Sequence, residues 1–205
     1  MKKCFRSVCL LSLFIFNLSC AESPSYNADI RSGKYEQVSI AINGEGRLTG
    51  YFKEDRGDSF SCYFGFSGHL NDGEAVISVD DEGFKGRLHF EGNNLVLAIP
   101  EAMEIPGCDM ILLPIIAEGV EYGPKVQANW IEIKIIPKDG VALRNSADSN
   151  SEVLEVMNQW HVLGVLEEKN NWSKVSYYKL ERVGDEIVRG FKEGWVESSA
   201  LKSIK

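Results

Sequence analysis

Short runs of alternating apolar and polar residues fill the first part of the chain. Val38, Ile40 and Ile42 would share one face of a strand, and residues 60–66 repeat the pattern with an apolar side chain at every second position. Further candidate strands cover residues 47–53, 74–80, 84–91 and 95–99. Six short runs at a spacing of about ten residues predict an antiparallel β-barrel or sandwich over residues 32–116.

Turn signals separate these runs. They are Asn43-Gly44, Asp72-Gly73, Glu82-Gly83 and Gly92-Asn93-Asn94. Such residues adopt the positive backbone angles of tight reversals, which agrees with hairpins between the strands. Apolar residues at helical spacing over three turns do not occur here, so only a single helical turn is predicted, near residues 101–104. Residues 117–130, which contain Gly119, Gly123 and Pro124, are predicted to connect this body to a second one.

Residues 131–205 carry a second set of strand patterns. Ile131, Ile133 and Ile135 alternate with polar residues, Asp139-Gly140 is a turn, and apolar runs resume at residues 141–143, 162–166 and 172–175. Five or more strands this short bury their apolar faces best in a small closed barrel. The sequence therefore predicts an all-β protein with two β-domains.

Three motifs occur in order in this second body. They are Val141-Ala142-Leu143-Arg144, Asn171-Trp172-Ser173-Lys174-Val175 and Gly194-Trp195-Val196. Together they resemble the bacterial SH3 domain, and the resemblance covers residues 131–205. It implies a small barrel that binds cell-wall peptides and has Trp172 and Trp195 in its core. The chain departs from the family at Ala200, where a Tyr is common, and in about ten extra residues at 179–189 that would lengthen one hairpin.

The N-terminus has the layout of a secretory signal. Three basic residues precede an apolar run at residues 8–16, and small residues surround Cys20, so residues 1–21 are predicted to be removed and residues 22–31 to form a polar leader. Ser19-Cys20-Ala21 suits ordinary signal peptidase, whereas Leu18-Ser19-Cys20 resembles a lipoprotein box that would leave Cys20 acylated. Both alternatives predict a periplasmic or exported protein, either soluble or lipid-anchored in the outer membrane.

Cys62 and Cys108 are the cysteines that remain after processing. Two cysteines in an oxidising compartment predict one disulfide. Neither has the neighbouring His of a thiolate nucleophile, which argues against a catalytic role for either cysteine.

Charge narrows the choice of partners. The formal net charge is −8, and residues 21–130 contain 8 Lys+Arg against 18 Asp+Glu. Nucleic acid requires a basic face, so it is excluded as a partner, and a membrane is expected only through an N-terminal lipid. We expect a non-enzymatic binding protein of the cell envelope, whose ligand is a cell-wall peptide or an envelope protein. The alternative is an inhibitor or immunity protein that neutralises a basic secreted enzyme or toxin.

Trp160, His161 and Tyr178 are the candidate ligand-binding residues. Trp160 follows Asn158-Gln159 in a predicted turn, which favours an exposed ring, and exposed aromatic side chains bury large areas on binding. The chain's histidines lie singly, without metal-ligand spacing, and no Ser lies in a Gly-x-Ser-x-Gly motif. We therefore expect no metal, no cofactor and no catalytic residue.

Overall fold

A computed structural model describes residues 31–57, 61–79, 83–183 and 186–204. The predicted signal peptide, the candidate lipidation site Cys20 and nearly all of the polar leader lie outside the described residues. The described chain forms two antiparallel sheets and a few short 3-10 turns, which confirms the all-β prediction. Within it, no helix is long and apolar enough to cross a membrane.

The first sheet is a nine-stranded meander that nearly closes into a barrel. Its strands are β1 (Gly33–Tyr35), β2 (Val38–Ile42), β3 (Arg47–Asp55), β4 (Ser61–Asn71), β5 (Glu74–Val79), β6 (Phe84–Glu91), β7 (Asn94–Ala98), β8 (Val120–Tyr122) and β9 (Pro124–Gln127). Sequential strands pair from β1 to β8, and β9 pairs with β1. Because only Gly123 separates β8 from β9, one segment joins both edges of the sheet, and this leaves few unpaired edge groups.

This closure changes the role of the predicted connection. Residues 117–130 contain β8 and β9, so half of this segment belongs to the first sheet. The two strands have three and four residues. At that length they show little alternation, and Gly123 followed by Pro124, the first residue of β9, gives the signal of a loop.

Alternate side chains fill the barrel. Val38, Ile40 and Leu48 are fully buried, as are Cys62 and Phe66. Asp72 and Gly73 form the predicted two-residue turn between β4 and β5, with φ angles of 50° and 88°. The alternation therefore assigns the inward faces of β2 and β4 correctly over the described residues.

A disulfide fastens the irregular part of the first body. It joins Cys62 on β4 to Cys108, in the segment between β7 and β8. That segment has 3-10 turns at Ala102–Glu104, where a helical turn was predicted, and at Pro114–Ala117. Both cysteines are fully buried, so the bridge attaches this segment directly to the barrel core.

The second sheet has seven strands, in the order β12-β11-β15-β14-β13-β10-β16. They are β10 (Glu132–Ile135), β11 (Val141–Arg144), β12 (Val153–Met157), β13 (Val162–Lys169), β14 (Trp172–Val183), β15 (Glu186–Glu197) and β16 (Lys202–Ser203). β14 and β15 pair over their full length, so the predicted insertion does lengthen a hairpin. Trp172 and Trp195 are only half-buried, and the core holds smaller side chains such as Leu143, Val165 and Val175. The expectation that these two tryptophans build the core was wrong.

A third apolar cluster joins the two sheets. Its buried members are Ala41, Tyr51, Trp130, Ile133, Ile135 and Ile204. Ala41 and Tyr51 project from the outer face of the barrel, where Thr49 Oγ1 also accepts a hydrogen bond of 2.8 Å from the Ile133 backbone N–H. Strands β2 and β3 are thus buried on both faces, inward by the barrel core and outward by the second sheet.

Candidate functional site

A cleft of about 260 Å³ lies between the two sheets. One wall is the outer face of the barrel. Lys34, Ser39 and Tyr51 are register neighbours on β1, β2 and β3, and Lys53 follows Tyr51 on the same face of β3. These four side chains point outward because the alternate positions fill the barrel core.

The opposite wall belongs to the second sheet. It comprises the turn before β13, the start of β13, β14 and the segment that precedes β10. The lining residues are Gln159, Trp160, His161, Val162, Tyr177, Tyr178 and Trp130. The structure therefore brings the three predicted residues, Trp160, His161 and Tyr178, into one cleft. That they bind a ligand stays a prediction.

Trp160 has an unusual backbone conformation. Its φ is 66°, a left-handed value that is rare for a bulky residue, and strained residues of this kind cluster at functional sites. Its N–H donates to the Ile136 carbonyl at 2.8 Å, and its own carbonyl accepts from Lys53 Nζ at 3.5 Å. The indole packs on Tyr63 of β4, with ring centroids 5.4 Å apart, yet remains 39% exposed. Trp160 therefore bridges the two sheets and still presents a face to solvent.

His161 and Tyr178 are held by their neighbours. His161 Nδ1 lies 2.9 Å from the Asn158 carbonyl. Because a carbonyl can only accept, Nδ1 carries the proton in this contact. The His161 ring contacts Tyr177 edge-to-face at 5.8 Å, and Tyr178 contacts Phe191 in the same way at 6.3 Å. Both side chains are thus fixed in orientation before a ligand arrives.

Trp130 forms the base of the cleft. Its Nε1 donates to Ser176 Oγ at 2.7 Å, and its ring contacts Phe191 edge-to-face at 5.7 Å. The indole lies against Gly164, where a side chain would have no room. Only a glycine at this position lets the ring approach the backbone of β13 so closely.

Residues 139–202 match the family model of the bacterial SH3 domain. The match confirms the resemblance of the C-terminal body but covers less than half of the chain. No curated protein and no solved structure matches the chain.

Domains of the bacterial SH3 family often bind peptidoglycan or peptides of the cell wall. The matched segment contains Trp160, His161 and Tyr178, but it contains neither Trp130 nor the barrel wall. The cleft therefore combines side chains of the bacterial SH3 segment with side chains from outside it.

The barrel wall brings two cations to the bacterial SH3 segment. Burial, and secondarily the nearby Lys53 ammonium group, lower the pKa of Lys34 to about 8. No Asp or Glu is among the described residues that line the cleft. Over the same described ranges, neither lysine forms an ion pair with a carboxylate. The cleft is therefore locally positive in a chain whose net charge is −8.

Glu155 lies behind Tyr177, where the ammonium groups of Lys179 and Lys192 offset its negative charge. It accepts hydrogen bonds from Tyr177 Oη at 2.7 Å and Lys179 Nζ at 3.2 Å, and Lys192 Nζ lies 2.6 Å away. Burial raises the pKa of Glu155, but the hydrogen bonds from Lys192, Tyr177 and Lys179 outweigh it and lower the pKa to about 2. This carboxylate therefore adds little negative potential to the cleft.

The barrel wall, including Lys34 and Lys53, was not predicted from the sequence. A signal was present, because the outward positions Ala41, Thr49 and Tyr51 of β2 and β3 lack the charged residues expected on a solvent-facing strand. For metals, the described part of the chain contains no group of three or more His, Cys, Asp or Glu side chains that could hold an ion.

Proposed function

We propose that this protein is an exported, non-enzymatic binding protein of the bacterial cell envelope that binds cell-wall peptide in the cleft between its sheets. The observation that carries the proposal is the position of Trp160. It lies in the bacterial SH3 segment, its indole is exposed in the cleft, and its backbone is strained. An aromatic side chain held in this way can bury a large area against a peptide at a small cost in entropy.

Export is part of the proposal and is supported by the basic and apolar pattern of residues 1–21. Cleavage before Glu22 would release a soluble protein, and acylation of Cys20 would anchor it. Mass spectrometry of the mature N-terminus distinguishes these outcomes, because an acyl-cysteine and a free Glu22 differ greatly in mass. An N-terminus that still contains residues 1–21 would contradict export.

Binding is tested by sedimentation of the full mature protein with purified peptidoglycan. We expect retention of the wild type, strong loss of retention for Trp160→Ala, and partial retention for Trp160→Tyr, which keeps an aromatic ring. Val156→Ala is the matched control, because Val156 is 60% exposed and does not line the cleft. Absence of wild-type retention would overturn the function. Equal retention of Trp160→Ala and the wild type would overturn its assignment to the cleft.

The inhibitor alternative predicts a different result. Its basis is the acid excess of residues 21–130, which would steer the protein onto a basic enzyme. Purification of the protein from its native envelope would then yield one basic enzyme in stoichiometric amount, and added salt would weaken the complex. Recovery of cell-wall fragments instead supports the proposal made above.

A further inference from the structure

Two ammonium groups face the same small cleft, and within the described residues neither is paired with a carboxylate. Lys34 on β1 and Lys53 on β3 project from the same face of the barrel, on either side of β2, and their charges repel each other. The other described side chains that line the cleft include no Asp, Glu, Lys or Arg. One of them is His161, whose Nδ1–H donates to the Asn158 carbonyl. Two like charges held together without a counter-ion favour the binding of an anion.

We propose that Lys34 and Lys53 bind a carboxylate of the ligand while the surrounding aromatic rings hold the adjoining carbon skeleton. The proposal rests on the proposed function, and it specifies which group of a cell-wall peptide enters the cleft, namely a free terminal carboxylate. Lys53 Nζ lies 3.5 Å from the Trp160 backbone carbonyl, and Lys53 is the register neighbour of Tyr63, on which the Trp160 indole packs. A carboxylate at the lysines would therefore bring the preceding residue of the peptide against Trp160.

Size and charge favour a small monoanionic group over a polyanion. The cleft volume of about 260 Å³ is just below the range of about 300–1,000 Å³ typical of small-molecule pockets, so it suits the end of a chain. A net charge of −8 repels an extended polymer of phosphates, whereas a single carboxylate meets only the local positive field. A lysine binds an anion as a point charge, whereas an arginine requires a planar arrangement of two parallel hydrogen bonds. Two lysines can therefore bind a carboxylate that enters the cleft end-on.

The proton equilibrium of Lys34 gives a second readout. Its pKa of about 8 means that it is charged at neutral pH and loses its proton above pH 8. A bound carboxylate favours the charged form, so affinity should be highest below pH 8 and should fall as the pH rises above it. The other titratable groups that face the cleft are Lys53, His161, Tyr51, Tyr177 and Tyr178. The Lys34→Arg variant separates Lys34 from these groups, because an arginine stays charged throughout this range.

The first test uses the full mature protein and a defined probe. Titration with N-acetyl-alanyl-alanine, prepared from L- and from D-alanine, is followed by NMR shifts of the tryptophan indole N–H groups. We expect saturable binding of the free acid and at least about tenfold weaker binding of the C-terminal amide, because a hydrogen bond to a charged group is worth that much or more. Inorganic phosphate is the third probe. Saturation by phosphate with no response to the dipeptide acid, or equal affinities for acid and amide, would overturn the carboxylate assignment.

The second test removes the charges. Lys34→Gln and Lys53→Gln should each weaken binding of the acid about tenfold. Lys85→Gln, which lowers the charge of the same barrel outside the cleft, should leave binding unchanged. Lys34→Arg should keep binding at pH 7 and abolish the loss of affinity between pH 7.5 and 9. Full affinity in both glutamine variants, or an unaltered pH profile in Lys34→Arg, would refute the role of the lysines.

The two proposals can fail separately. Peptidoglycan retention that depends on Trp160 and not on Lys34 or Lys53 would leave the function standing and remove the carboxylate site. Binding of the dipeptide acid without peptidoglycan retention would leave the carboxylate site standing and remove the cell wall as its source.

Discussion

A methyl group added at Gly164 is expected to weaken the junction between the two sheets. An ideal Cβ at this position would lie 2.0 Å from Cδ2, 2.1 Å from Cε2 and 2.2 Å from Cγ of Trp130. Carbon atoms pack at about 3.5–4.0 Å, so the indole would have to move by more than about 1 Å. Overpacking of this kind costs about 1–3 kcal/mol. Loss of the hydrogen bond from Trp130 Nε1 to Ser176 Oγ adds about 1 kcal/mol.

Gly164→Ala should therefore lower the free energy of unfolding by about 2–4 kcal/mol. Guanidinium denaturation followed by circular dichroism measures this loss. Gly190→Ala is the matched control, since Gly190 also lies in a strand but a Cβ there would meet nothing within 4 Å, and a change below about 0.5 kcal/mol is expected. If Gly164→Ala were as stable as Gly190→Ala, the packing of Trp130 against β13 would not hold the sheets together.

Three further perturbations test other parts of the fold. Replacing both Cys62 and Cys108 by Ser opens a loop with a sequence separation of 46 and should cost about 4 kcal/mol, measured by urea denaturation without reductant. Thr49→Val leaves the buried N–H of Ile133 without its acceptor and should cost about 1–3 kcal/mol, whereas Thr49→Ser, which keeps the hydroxyl, should cost less. Glu155 has a folded-state pKa of about 2 against an ordinary value of 4.5, so its stabilisation is present above pH 4.5 and lost as the pH falls towards 2. The melting temperature of the wild type should therefore fall more steeply over that range than that of Glu155→Gln, and parallel curves would contradict this.

Local patterns predicted the strands that have a long buried face. Val38 and Ile40 alternate with smaller or polar residues, and Phe64 and Phe66 do the same on β4, so period-two burial is visible in the sequence. β1, β8 and β9 have three or four residues each and show no such repeat. Closure of the barrel pairs β9 with β1, about 90 residues earlier in the chain, and β8 with β7, about 25 residues earlier, and pairing over such distances leaves no local signature.

The candidate site was predictable on one wall only. Trp160 follows two polar residues in a turn, and this local context was enough to predict an exposed ring. Lys34 and Lys53 belong to the site only because the second sheet packs against the outer face of β2 and β3. That contact depends on the docking of two bodies, which neither propensity nor periodicity specifies.

Because β2 and β3 are buried on both faces, the cleft depends on the docking of the two sheets. Ala41, Thr49 and Tyr51 are each at most 3% exposed because the second sheet covers them, although they project away from the barrel core. Separating the sheets would expose this apolar surface and would also move Trp160 away from the lysines. The cleft therefore exists only while the two sheets are docked, and a ligand that touches both walls stabilises the docked form over the separated one. Binding by the C-terminal body alone would accordingly be a different and weaker reaction, even though that body contains all three aromatic residues that the sequence predicted.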